Sequence, residues 1–576
     1  MPENYPAIYW FAQDDWKLTP RLTLNLGLRY EYVGVPLGDK RQAMNSISDD
    51  PALGLFFRAP KADTNNFAPR IGFAYDPTGH GKWAIRGGAG FAYDVIPNNF
   101  AINSLPPQLQ TEQKPAVTCA LPGKPAWCAS WDPTKVDSGQ GFLAGGGLLQ
   151  TNVPPATQAE ARAGTSSLIP DRVSPKIITW TLGVQHELFR DSSIEVRYVG
   201  TRSLELPGQM RLNSASAFDP RFTSLGGGLT PLPTYFATSD VPAVVTAPAS
   251  TAFDFDNFNP APYSVDGFFG SITTFPPAGT GIYHAVTVDF IHRFAKGLYF
   301  RANYSFSRNI DDATNELFSS IVNPRRAQDG YNFGADRGLS ALHIPQKFTI
   351  TWVYELPNIQ TEHAFLRTLA HGWEWSGSYL AESGQPVTPL SDADANANGD
   401  QAGDRTIFNP NGVGNSGTIV DAVCNSGPGG ATSIVAPVAG AYFCNATHDA
   451  VDDAHLVGYV AENPNARFVQ AQFGALATAG RNTVTTPGIN VWNMSIYKNT
   501  RLSERFSLQF RAETYNTFNH RNFSIGLPTN NGALDQANNP NPFAASYVNV
   551  DDPNFLNSRQ FNGGSRTMQL GLRLVW

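Results

Sequence analysis

The stretch with the most chemical promise is SDADANANGDQAGDR, residues 391–405. Asp392, Asp394, Asn396, Asn398 and Asp400 alternate with small residues, Gly399 permits a sharp turn, and Asp404 follows. Oxygen donors at every second position, with a glycine among them, are what a hard cation such as Ca²⁺ takes. Counted as an EF-hand loop from Asp394, the last ligand position falls on Arg405, so the bidentate carboxylate is missing. Two readings stand. The stretch is a Ca²⁺ loop that stiffens a long connection without catalysing, or it is a solvated acidic loop.

A second cluster, Asn309-Ile310-Asp311-Asp312, follows directly on a strand-like segment. Adjacent acids at a strand exit can cap a loop or touch a ligand, and solvation is the plainer reading. Catalytic constellations are lacking: there is no GxSxG elbow, no HExxH and no P-loop. His186, His284, His292 and His343 are scattered near strand ends, and none stands beside a Ser or Cys nucleophile. The expectation is a protein that is not an enzyme, with no catalytic residues and no cofactor beyond a possible Ca²⁺. The cysteines form two local pairs, Cys119 with Cys128 and Cys424 with Cys444. Neither pair has CxxC spacing or a nearby histidine, so two short disulfides in an oxidising, exported setting are expected.

These residues lie in long connections, which strands must hold. The clearest strand is at the C-terminus, RTMQLGLRLVW, residues 566–576. Met568, Leu570, Leu572, Leu574 and Trp576 share one face; Thr567, Gln569, Gly571, Arg573 and Val575 share the other. An apolar face that ends on an aromatic ring, with an arginine opposite, fits a strand crossing a membrane with its ring in the interfacial girdle. Leu570, Leu572, Leu574 and Trp576 are therefore candidates for a membrane-assembly signal.

The alternation recurs. Leu22, Leu24, Leu26, Leu28 and Tyr30 oppose Thr23, Asn25, Gly27, Arg29 and Glu31. Ile178, Trp180, Leu182 and Val184 oppose Thr179, Thr181, Gly183 and Gln185. Trp83, Ile85, Phe91 and Tyr93 oppose Arg86; the segments 298–307, 347–355 and 505–513 repeat the pattern. Short joints at 17–21, 76–82, 188–193, 293–298 and 499–505, and a longer one at 357–371, alternate with long connections near 34–67, 94–175, 201–281, 308–344, 383–487 and 519–565. About 13 strands result. A soluble sandwich has no reason to put every short turn at one end, whereas an outer-membrane barrel has short periplasmic turns and long extracellular loops. Arg29, Arg86, Arg197, Arg301, Arg511 and Arg573, with Glu31, Glu195, Glu355 and Glu513, then line the lumen, paired with one another or with a plug.

The bulk numbers agree. At 576 residues the chain is long for one soluble domain and ordinary for one large barrel. Charged residues make up 15%, the formal net charge is -7, and no basic arm appears, which argues against nucleic acid as a partner. Mean hydropathy is -0.25, and no run of about 18 apolar residues suggests a spanning helix. The opening MPENYPAIYWFAQDDWKL lacks a basic n-region and an apolar core, so the expectation is a numbering that starts within a longer exported protein.

The segments YWFAQDDWKLTPRLTLNLGLRYEY (9–32), NFAPRIGFAYDP (66–77), YSFSRNIDDA (304–313) and LQFRAETYNTFNHRNF (508–523) resemble the Oar-like TonB-dependent receptors of Gram-negative outer membranes. The ANANGDQAGDR stretch and the aromatic C-terminal strand fit that resemblance too. It implies an all-β, antiparallel transmembrane β-barrel of about 22 strands with long extracellular loops. It also implies outer-membrane lipid, the barrel assembly machinery, a plug domain and TonB as partners, with transport driven by the inner-membrane proton gradient. Residues 1–576 correspond to the C-terminal barrel portion, without the plug, the TonB-contacting segment and about nine N-terminal strands. A surface adhesion or binding barrel without transport, and a passive porin, are the alternatives. The ligand class is not encoded in the loops in a readable way.

Overall fold

In the computed structural model, the described residues are 6–95, 155, 157–242, 244–246, 258–313, 324, 326–359, 362–400, 403–424, 433–435, 456–523, 547–560 and 562–576. Cys119, Cys128 and Cys444 lie outside them, and only the backbone of Cys424 is described, at the end of a short strand. The two proposed disulfides therefore fall outside the described residues.

The architecture is one antiparallel sheet whose long strands pair in chain order. They are β1 (Ala7–Thr19), β2 (Leu22–Val33), β3 (Phe67–Tyr75), β4 (Trp83–Tyr93), β5 (Lys176–Phe189), β6 (Ser192–Leu206) and β7 (Gly279–Ala295). They continue as β8 (Leu298–Asp311), β9 (Gln346–Glu355), β10 (Trp373–Glu382), β11 (Ile489–Arg501), β12 (Ser507–Tyr515) and β13 (Thr567–Val575). The 14-stranded sheet is completed by the two-residue strand Gly338–Leu339 beside β8. Each strand sits next to its chain neighbour, so every connection is a hairpin. Tight turns occupy one rim; β7 and β8, for example, are joined by Lys296 and Gly297, both at positive φ (50° and 82°). That backbone matches the strand twist and explains a glycine there.

Register separates the two faces. One row runs Val184–Val196–Val288–Tyr304–Phe348 across β5 to β9, and the next runs Gln185–Glu195–Asp289–Asn303–Thr349. The apolar rows face away from the protein: Leu182 is 51% exposed and Leu570 70%. Large apolar side chains arrayed in an exposed band are stable only against lipid. No described helix is long and apolar enough to cross a membrane. Arginine at Leu182, midway along β5, is expected to cost about 2–4 kcal/mol of unfolding free energy in lipid vesicles. Arginine at Thr181, on the opposite face, is expected to cost under about 1 kcal/mol; equal losses at both positions would refute the assignment of faces.

The apolar core is not in the sheet. Among the described residues its five clusters lie in the long connections, with Leu232, Ile407, Tyr459 and Val469 in the largest, and Val387, Phe468, Tyr547 and Val550 in the second. Small sheets stiffen it: Ala466–Val469 pairs with Ile407–Phe408 and Val413–Thr418, and Leu456–Ala461 pairs with Val420–Cys424 and Thr234–Tyr235. The long loops have thus folded into a cap with its own core. On the opposite rim, the 357–371 joint contains a short helix, Ala364–Ala370, which the two-residue alternation of the strands does not announce.

Candidate functional site

Two surfaces could act on a solute: the polar wall of the sheet and the underside of the cap. On the wall, strand alternation brings oppositely charged side chains together. Arg29 pairs with Glu31 at 2.8 Å and Arg301 with Asp289 at 2.9 Å; Arg197 pairs with Glu195, and Lys347 with Glu382 at 2.7 Å. Arg86 donates to Gln185, Arg511 to Gln509, and the Tyr497 hydroxyl donates to Glu513 at 2.6 Å. Much of the expected charged lining therefore pairs internally. Near the turn-side rim the wall carries a niche bearing Lys82, Arg86, Arg190 and Arg293 against Glu187 and Asp191, an excess of positive charge.

The cap is organised by residues 391–405 of the β10–β11 loop, which together with Leu390 touch three other long loops. Asn396 and Asn398 donate from their amides to the Gln328 carbonyl (2.7 and 3.3 Å), in the β8–β9 loop. The Ala217 N–H, from the β6–β7 loop, donates to the Asn396 carbonyl at 2.9 Å. The Leu390 N–H donates to the Val548 carbonyl, in the β12–β13 loop, at 2.8 Å. Asp400 forms an ion pair with Arg326 and stands 3.5 Å from Arg211. Arg405 donates to the Ala479 carbonyl at 2.9 Å and forms a buried 2.5 Å pair with Asp336. The arginine that breaks the EF-hand pattern is therefore a cross-loop tie.

Two acidic side chains, Asp394 and Asp404, serve the segment itself. Asp394 accepts from the N–H groups of Asn398 and Gly399 (2.9 and 2.8 Å), with Gly399 at φ 75° closing the turn. Asn398 Oδ1 accepts from the Asp400 N–H at 2.7 Å, and Asn396 Oδ1 from the Asn398 N–H at 3.2 Å. Asp404 accepts from the Ala395 N–H at 2.7 Å through one oxygen; its other oxygen is buried without a hydrogen-bond partner. Burial raises the carboxyls of Asp392 and Asp394, and pushes that of Asp404 well above the usual carboxylate range, helped by nearby Asp394. Among the described residues, no group of three or more His, Cys, Asp or Glu side chains could hold a metal ion.

That raised carboxyl gives a pH dependence. A group whose folded value is raised favours the fold at low pH, and the contribution fades as pH climbs from the ordinary aspartate value through the raised one. Asp404→Asn keeps the acceptor for Ala395 and removes the charge. At pH 7 it is expected to stabilise the cap by about 1 kcal/mol or more and to flatten its pH-dependent melting. A D404N melting curve with the wild-type pH slope would place the dependence elsewhere.

The second cluster is not solvated, contrary to the plainer reading of the sequence. Asp311 is buried in an ion pair with Arg481, and Asp312 accepts from the N–H and hydroxyl of Thr280 (2.5 and 2.6 Å). Burial is possible because Arg481 arrives from far along the chain and neutralises the charge. Arg326, Gln328, Asp336 and Arg481 escaped the sequence reading, since isolated residues carry no pattern. Of the assembly candidates, Leu570, Leu572, Leu574 and Trp576 sit on the exposed apolar edge of β13, beside β12.

The family of outer membrane β-barrel domains matches residues 3–569. The chain belongs to that family. Its place is the outer membrane, with the apolar band of the barrel in lipid and the tight turns at the periplasmic rim. No curated protein matches its sequence. Among solved structures it is similar to the outer membrane transporter YddB from Escherichia coli, at 10% identity and a TM-score of 0.38, over 99% of this chain and 45% of that one. A mutant ferric enterobactin receptor from Pseudomonas aeruginosa gives 9% identity and a TM-score of 0.37, over 99% and 44%. The ferric preacinetobactin receptor BauA from Acinetobacter baumannii gives 9% and 0.35, over 96% and 40%. The barrel chain thus spans less than half the length of these structures.

Proposed function

We propose that this barrel is the wall and ligand-capturing cap of a TonB-dependent uptake receptor. The loops bind a solute outside the cell, and the solute passes along the polar wall when TonB pulls on a plug. The observation that carries this reading is the cap itself: four long loops joined through residues 391–405 into one body with its own core, above a wall lined with paired charges. Loops held this firmly are suited to presenting a fixed binding surface. A passive porin has no use for such a cover. The cationic niche at the periplasmic rim suits an acidic patch on a plug.

The test is uptake by cells carrying the chain in its natural protein, with and without TonB, across ferric siderophores, oligosaccharides and peptides. Uptake of one class that disappears with TonB is the expected result. Uptake indifferent to TonB would leave a porin, and surface binding without uptake would leave an adhesion barrel.

We propose too that residues 391–405 act as a metal-independent knot and not as a Ca²⁺ loop. Support comes from the oxygens already engaged by amides and arginines. Chelation with EDTA is expected to leave the protease resistance of the cap unchanged. A loss reversed by added Ca²⁺ would overturn this and make the segment a calcium site.

A further inference from the structure

The β9–β10 joint lies on the periplasmic rim, where the other connections are tight turns, yet it carries the helix Ala364–Ala370. Phe365, Leu366 and Leu369 fall on one side of that helix and are all exposed, Phe365 by 78%. Ile359 and Leu356, in the chain leading to the helix, are exposed as well. Apolar side chains gathered this way at the edge of a barrel call for a covering phase.

What fixes the phase is the side of the barrel on which the helix lies. Its C-terminal carbonyls are held by Lys498, whose ammonium donates to Thr368, Leu369 and His371 at 2.7, 3.1 and 2.9 Å. The Trp373 indole N–H donates to the Leu369 carbonyl at 2.7 Å, and Lys498 sits over the Trp373 ring at 5.0 Å. A cation at a helix C-terminus satisfies its orphan carbonyls and its dipole. Register places both anchors on the lipid face: the row runs Trp373–Lys498–Phe510–Leu572, flanked by Trp375–Ile496–Ala512–Leu570. The helix is therefore tied to the outside of the barrel, at the level where its apolar band meets the periplasmic headgroups.

We propose that this helix is an interfacial anchor, lying in the periplasmic leaflet of the outer membrane with Phe365, Leu366 and Leu369 among phospholipid acyl chains. The occupant is phospholipid because Lys498 and Trp373 tie the helix to the row of the sheet that carries the lipid-contacting band. Arg367, exposed on the same helix, is in reach of phosphates while its stem stays in the interface. The anchor holds the turn side of β9 and β10 at a fixed depth. It depends on membrane embedding alone and stands or falls independently of TonB-driven transport.

The test is photo-crosslinking of the full chain in native outer membranes, with benzoylphenylalanine in place of Phe365. Leu570 serves as the lipid-facing reference and His80, in an exposed periplasmic turn, as the aqueous one. The expected result is phospholipid adducts at 365 at a yield within about threefold of those at 570, and few at 80. A Leu366→Glu, Leu369→Glu background is expected to lower the yield at 365 at least about tenfold while 570 is unchanged. Adducts at 570 without lipid adducts at 365 would overturn the proposal. Protein adducts at 365 would overturn it too, because a partner would then cover this face.

Discussion

Replacing Arg481 by alanine is expected to detach the cap from the barrel rim. Arg481 is buried, pairs with the buried Asp311 at the outer end of β8, and donates to the Asp336 carbonyl at 2.6 Å. Its neighbour Asn482 donates to the Leu339 carbonyl and shares a 2.9 Å hydrogen bond with Thr388. The end of β8, the β8–β9 loop and the β10–β11 loop thus meet at one guanidinium. Removing one member of a buried pair leaves the other charge desolvated, at a cost of about 3–5 kcal/mol. The more exposed wall pair Arg301–Asp289 gives the contrast, with an expected cost below about 1 kcal/mol for Arg301→Ala. Hydrogen exchange would show the difference: amides around 336–343 and 478–484 lose protection in R481A, while the strands keep theirs. Asp311→Ala in the same background should restore part of the loss, because the stranded carboxylate is then gone. Unchanged protection in R481A would mean that the apolar clusters alone hold the cap.

The strands were legible because two-residue periodicity is a local signal. Lys176–Glu187 reads as a strand from Ile178, Trp180, Leu182 and Val184 alone, and the structure extends it only to Phe189. The alternation of short and long joints gave the rims in the same way. The helix Ala364–Ala370 was hidden: it is two turns long, no side chain caps its N-terminus, and its stability comes from Lys498 in β11. The cap was hidden for a related reason. The pattern in 391–405 is visible, but its use depends on Arg326 and Gln328, some 70 residues away, and Arg481 lies 170 residues from Asp311. Chain pattern shows where oxygens are available. It does not show which distant amides and guanidinium groups will take them.

Assembly offers the other large effect, and it bears on the end of β13. Met568, Leu570, Leu572 and Leu574 form an exposed apolar edge that continues into Trp576, itself 85% exposed. Its ring stands at the periplasmic rim, where an indole is stabilised by an apolar body in acyl chains and a polar edge among headgroups. The strand must also reach the membrane before it can be stabilised there, and a bare apolar strand has no other mark to distinguish it from an aggregation-prone edge. Deleting Trp576 is expected to lower the amount of chain in the outer membrane at least about tenfold, since ring and belt position are lost together. Trp576→Phe should stay near the wild-type level, because an aromatic ring remains at the interface. Leu572→Glu tests the other element, the apolar face at the next turns of the pleat, and should be about as damaging as the deletion. If W576F assembles and the deletion does not, assembly depends on an aromatic ring in register with the lipid face of β13. If all three variants assemble alike, pairing with β12 is sufficient, and Leu570, Leu572, Leu574 and Trp576 act only as a surface for lipid.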